Sequence, residues 1–104
     1  MSERTFKRFC PLEELPPGAK KARNLDGVPV LVCHTGEGIF AVSNLCSHQE
    51  KFLHAGRVRA GRITCPLHGA QFDLKTGAAL CLPATRPIAT YEVRVVDGWI
   101  EVCA

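Results

Sequence analysis

The sequence predicts an all-β domain, an antiparallel β-sandwich or partly open barrel, and three observations carry that expectation. Short runs rich in Val, Ile and aromatic residues recur along the chain, several of them alternating with polar residues. Gly, Pro and Asp-Gly pairs punctuate them at close intervals. Helical character is confined to residues 11–15, where Pro16-Pro17-Gly18 stops it at once. Many short strands with such punctuation fill a sandwich or barrel rather than a helical layer.

Taken in order, residues 11–15 make a loop. Residues 28–33 and 39–42 are apolar and β-branched, and Thr35-Gly36-Glu37-Gly38 between them has the composition of a turn, so they predict a hairpin. In the middle of the chain Gly61 precedes a short strand at 62–64. Residues 71–74 then turn at Lys75-Thr76-Gly77 into 78–80, which predicts a second, smaller sheet. Residues 91–96 and 99–102 alternate around Asp97-Gly98, a pair suited to a type I′ turn, and predict a terminal hairpin.

With 104 residues the chain has the size of one domain, and no linker or internal repeat divides it. Its residues are 46% hydrophobic and 22% charged. No apolar run approaches the ~18 residues that span a bilayer, so no membrane association is expected. The first nine residues carry charges throughout and lack the apolar stretch of a secretory signal, which makes a cytoplasmic location the default expectation. A net charge of +3, with no basic run beyond Lys20-Lys21 and Arg23, argues against a nucleic-acid surface and places the charge on no one face.

Six cysteines in a chain of this length raise the alternative of a disulfide-stapled secreted domain. The core-forming composition and the missing signal argue against it. Cys10, Cys33, Cys81 and Cys103 lie in or beside apolar stretches, where a thiol acts as a small buried hydrophobe. The other two belong to a different pattern. Cys46-Ser47-His48 and, after sixteen intervening residues, Cys65-Pro66-Leu67-His68 each offer one thiolate and one imidazole. Both sets fall just after predicted strands, on loops that a rigid sheet can hold. Two sulfurs and two nitrogens make the mixed ligation of a Rieske-type diiron centre. Pro66 stiffens the second loop, and Gly69 just after His68 permits close backbone approach and positive φ.

Cys46-x-His48 and Cys65-Pro66-Leu67-His68-Gly69, with Gln71-Phe72-Asp73, Thr76-Gly77 and Leu82-Pro83-Ala84 beyond them, resemble the signature of Rieske iron–sulfur proteins. The likeness is to the small ferredoxins of bacterial aromatic-ring dioxygenase systems and runs from about residue 28 to the C-terminus. It implies the Rieske iron–sulfur fold, with a cluster-binding subdomain at about 44–84 inserted in a basal sheet domain, and one [2Fe–2S] cluster per chain. It also implies that Cys46 and Cys65 bind the inner iron and His48 and His68 the outer, and that Pro83 lies in a third loop over the cluster. Leu67, Pro83 and Phe52 are expected to form an apolar rim, with Gly69 beside the cluster.

Rieske proteins of the respiratory complexes have a further cysteine in each ligand loop and commonly a hydroxyl two places after the second histidine. The matching positions here are Lys51, Leu67 and Ala70. Fewer hydrogen bonds to sulfur predict a potential near the low end of the Rieske range, roughly −150 mV.

The resemblance implies a monomeric electron carrier, with no catalytic residues of its own, between an NAD(P)H-dependent flavoprotein reductase and a terminal oxygenase. One alternative is the Rieske-like small subunit of an assimilatory nitrite reductase or of another oxidoreductase. Another, of a different class, is a zinc-stabilised interaction module, for which the one-residue Cys-x-His spacing is awkward. His34 and His54 are expected to be ordinary surface or supporting histidines, and Trp99 a core or sheet-face aromatic.

Overall fold

A computed structural model describes residues 5–47, 52–66, 69–82 and 84–104, arranged as ten strands and one short 3₁₀ turn. The strands are β1 (Lys7–Pro11), β2 (Lys20–Leu25), β3 (Val28–Thr35), β4 (Gly38–Ser43), β5 (Arg57–Arg59), β6 (Arg62–Thr64), β7 (Gln71–Asp73), β8 (Ala79–Cys81), β9 (Thr90–Val96) and β10 (Trp99–Cys103). All pairings are antiparallel. A six-stranded sheet has the order β1-β10-β9-β4-β3-β2, and a four-stranded sheet the order β5-β6-β7-β8. The all-β antiparallel architecture and the second sheet in the middle of the chain match the expectation.

The hairpins form where turn chemistry and strand propensity coincide. Asp97 and Gly98 have φ of 51° and 77°, as a type I′ turn requires, and join β9 to β10. Asp26-Gly27 does the same between β2 and β3, with φ of 50° and 89°. Strands β1, β2 and β5 were not legible in the sequence, because Lys-Lys-Ala-Arg-Asn-Leu and Arg-Val-Arg have little strand character alone and acquire it by pairing. Residues 12–14 form the 3₁₀ turn where a loop was expected.

Strand β3 is the centre of the packing. Val30, Leu31, Val32 and Cys33 are all buried, so both of its faces are covered. Because successive side chains alternate, Val30 and Val32 enter one core with Phe9, Leu15, Ile100 and Val102, whereas Leu31 and Cys33 enter another with Leu53, Ile63, Phe72 and Leu74. Each fully buried Val or Leu contributes about 1.5–3 kcal/mol, so β3 welds the two sheets. The Arg23 guanidinium donates to the Phe9 carbonyl and bridges edge strands β2 and β1. Trp99 is half-buried, with the Arg8 guanidinium 4.8 Å from its ring centre.

The chain leaves the large sheet after β4 and returns at β9, and these two strands are neighbours, with Ala41 opposite Tyr91 and Val42 opposite Thr90. The smaller sheet is therefore supplied by the excursion between two adjacent strands. No helix among the described residues is long and apolar enough to cross a membrane.

Candidate metal centre

The first loop begins where β4 ends. The Asn44 amide donates to the Pro29 carbonyl at 3.0 Å, and the Asn44 carbonyl accepts from Leu53 N–H at 2.7 Å. Leu45 then bridges Phe52, so the segment between them is pinched at its base. Cys46 sits just inside that pinch and is 3% exposed. The Ser47 hydroxyl donates to the Arg86 carbonyl, tying this loop to the segment that precedes β9.

The second loop continues the β6–β7 ladder. Cys65 N–H donates to the Ala70 carbonyl at 2.7 Å, and Gly69 N–H donates to the Cys65 carbonyl at 3.1 Å. Gly69 has φ +75°, the left-handed conformation its position predicted, although its N–H is used to close the loop. Cys65 is a free thiol and, like Cys46, 3% exposed. Ala70 is fully buried.

The two thiols arrive from loops nineteen positions apart in sequence and enter the same apolar cluster, walled by Leu53, Ile63, Phe72, Ala84 and Ile88. A buried apolar cluster that receives two sulfur donors suits a soft, partly charged iron–sulfur core, whose potential depends on excluded water. The donor set present therefore fits the thiolate half of such a cluster. His48 and His68, and with them Lys51, Leu67 and Pro83, lie outside the described residues.

Among the described residues the other histidines are engaged elsewhere. His34 Nδ1 is 2.7 Å from the Leu15 carbonyl, and His54 Nδ1 is 3.1 Å from Asn44 Nδ2. Cys10 and Cys33 are buried, as expected of small hydrophobes, and Cys10, Cys33, Cys81 and Cys103 are free thiols. Burial pushes the Cys33 thiol up to about 12, with Lys20 opposing the shift, so it holds its proton at neutral pH. Cys81 is the correction: it is exposed on edge strand β8, where its Sγ lies 3.5 Å from the Gly69 carbonyl. A three-residue strand at the sheet margin has too little cover to bury it.

Phe52 is exposed, and so are Leu80 and Leu82, the last 76% exposed. The sequence reading missed these two leucines, along with Ser47, Asn44 and Gly56. A Cβ on Gly56 would meet the Thr64 carbonyl at 1.9 Å, directly before Cys65, which is why a glycine stands there. No local sequence signal marks that approach.

The family model for the Rieske [2Fe–2S] domain matches residues 5–92. The ferredoxin subunit of anthranilate 1,2-dioxygenase from Burkholderia cepacia is 38% identical, over 98% of this chain and 97% of its own. The ferredoxin of carbazole 1,9a-dioxygenase from Nocardioides aromaticivorans IC177 superposes with a TM-score of 0.90 at 40% identity, over 95% of this chain and 97% of that one. A ferredoxin solved in complex with the reduced oxygenase of carbazole 1,9a-dioxygenase gives a TM-score of 0.89 at 28% identity, over 97% and 94%. With two buried thiols delivered by paired loops into one core and a family match over most of its length, the chain belongs to the Rieske [2Fe–2S] family.

Proposed function

We propose that this chain is the ferredoxin of an aromatic-ring dioxygenase system, carrying one electron at a time from an NAD(P)H-dependent flavoprotein reductase to a terminal oxygenase. The observation that carries the reading is the convergence of Cys46 and Cys65 in one buried cluster of a chain alike over nearly its full length to dioxygenase ferredoxin subunits. The bound [2Fe–2S] cluster supplies one-electron redox chemistry. Cys46 and Cys65 would hold one iron of that cluster and His48 and His68 the other, with Leu67, Gly69 and Pro83 contributing to its binding, in a cluster-binding subdomain at about 44–84 inserted in the basal sheet domain. The chain acts alone as a monomer and transforms no substrate.

Reconstitution tests this reading. Iron-loaded protein supplied with a flavoprotein reductase, NADH and a ring-hydroxylating oxygenase is expected to support product formation that stops when it is omitted. Transfer only to a nitrite reductase would replace the proposal. Metal analysis is expected to find two irons and two acid-labile sulfides per chain, with a potential of roughly −150 mV. His48→Cys or His68→Cys is expected to abolish the Rieske spectrum and lower the potential, because thiolate places more negative charge on iron than imidazole does. An unchanged spectrum removes that histidine from the ligand set.

A further inference from the structure

Charge is divided unevenly between the two parts of the molecule. Residues 44–89 contain six Lys and Arg against two Asp and Glu, a net +4, whereas the rest contains seven against eight, a net −1. The ion pairs seen among the described residues, Lys7–Asp26, Lys21–Glu14 and Arg94–Glu101, all lie outside the 44–89 excursion. In the excursion, a cleft of about 510 Å³ opens between the β5–β6 hairpin and the ends of β2 and β3. Lys20, Arg57 and Arg59 line it, with His34 and no carboxylate, and Gly18, Gly36 and Gly61 leave its walls free of side chains. The adjoining groove differs, since Arg62 and Lys75 there face Glu37 and Asp73 and charge is balanced.

A second observation concerns the hairpin itself. Arg59 stands directly opposite Arg62 as the closing pair around Ala60-Gly61. Like charges directly opposite one another destabilise a ladder, and one charge is enough to protect a short edge strand from unwanted pairing. Arg57 stands opposite Thr64, the residue before Cys65, so one end of the cleft reaches the strand that leads into the second thiol loop, and its Arg59–Gly61 end lies at the opposite end of the hairpin.

We propose that this cleft is a docking surface for a protein partner bearing clustered Asp and Glu; the identity of that partner as a redox protein rests on the function proposed above. A lone small anion is a poor occupant, because an exposed ion pair is worth only about 0–1 kcal/mol. A protein face that presents several carboxylates together accumulates these contributions and is steered in before contact.

Two measurements test the proposal. In the first, the iron-loaded chain is titrated with poly-L-glutamate and followed by amide NMR. Signals of Lys20, Gly36 and residues 57–59 are expected to move, and Arg57→Glu/Arg59→Glu to bind at least tenfold more weakly, whereas Lys75→Glu binds within about twofold of the wild type. Shifts located elsewhere, equal binding by the double variant, or tighter binding to duplex DNA or phosphatidylglycerol vesicles would overturn the cleft. This arm decides the cleft even if the chain reduces no oxygenase.

The second measurement reads electron transfer to the oxygenase of the reconstituted system. The double variant is expected to lose at least tenfold in second-order rate at low salt, with the difference vanishing at high salt. Arg59→Glu alone faces Arg62 with an opposite charge, so it is expected to hold or raise the thermal midpoint while slowing association. A fall in both would assign the arginine to structure and overturn the proposal, as would an unchanged association rate.

Discussion

Ser47 shows how much one hydroxyl contributes when it joins segments far apart in the chain. Its bond to the Arg86 carbonyl closes thirty-nine positions of sequence and fixes the loop on which Cys46 stands. A hydrogen bond of this kind contributes about 0.5–1.5 kcal/mol. Ser47→Ala is therefore expected to speed loss of bound iron to a chelator by roughly 2- to 10-fold, with Ser47→Thr close to the wild-type rate. The nearby Asn44 is 5% exposed, and its Oδ1 has no hydrogen-bond partner among the described residues. The residues most legible in the sequence were the thiols, because Cys beside His at fixed spacing is rare without a metal. Those least legible were Ser47 and Asn44, whose roles depend on what the fold brings beside them.

At the scale of elements, the segment before β9 acts as a strap. Ile88 N–H donates to the Gly77 carbonyl at 2.9 Å, Ser43 N–H donates to the Ala89 carbonyl at 2.9 Å, and buried Ala84 and Ile88 anchor it in the core that holds both thiols. Gly77 is the tight point, with φ +78° and a notional Cβ 2.1 Å from the Ile88 carbonyl. Gly98 has nearly the same φ, +77°, in open space. Gly98→Ala is thus expected to cost about 1–2 kcal/mol from the left-handed conformation alone. Gly77→Ala adds the backbone clash and is expected to cost at least about 2 kcal/mol more, measured as the difference in denaturant midpoints at equal m-value. Sequence showed Lys75-Thr76-Gly77 to be a turn, but not that a strap from eleven residues away presses on it.

For the whole molecule, the core determines how stability responds to alkali. Cys33 is raised from 9.0 to about 12, and burial also raises Cys10 and Tyr91. These groups are neutral when protonated, and the folded state keeps the proton longer than the unfolded chain does. The contribution of Cys33 is fully present below pH 9 and is lost as pH climbs from about 9 towards 12, by up to about 1.4 kcal/mol per pH unit, and Cys10 and Tyr91 act in the same direction above their ordinary values. Unfolding free energies between pH 7 and 11 are expected to hold steady and then fall. Cys33→Ala, less stable at neutral pH because it leaves a cavity, is expected to show a shallower alkaline fall. An equally steep slope would mean that Cys33 is not the group responsible.

The all-β class, the two long hairpins, the second sheet and the Cys-x-His and Cys-x-x-His sets were determined by sequence alone. Each rests on local chemistry: alternation that matches a pleated strand, Asp-Gly that accepts positive φ, donor atoms a few bonds apart. Tertiary structure alone decided the rest. It made strands of Lys20–Leu25 and Arg57–Arg59 by giving them ladder partners, left Cys81 exposed at a sheet margin, and strapped the excursion down through Gly77 and Ser47. It also gathered Lys20 from β2 and Arg57 and Arg59 from β5 around one cleft, a charge pattern invisible in a chain where thirty-six positions separate the first two. The physical reason is the same throughout, because backbone pairing, burial and electrostatic fields depend on distance in space, which a linear order records only for near neighbours.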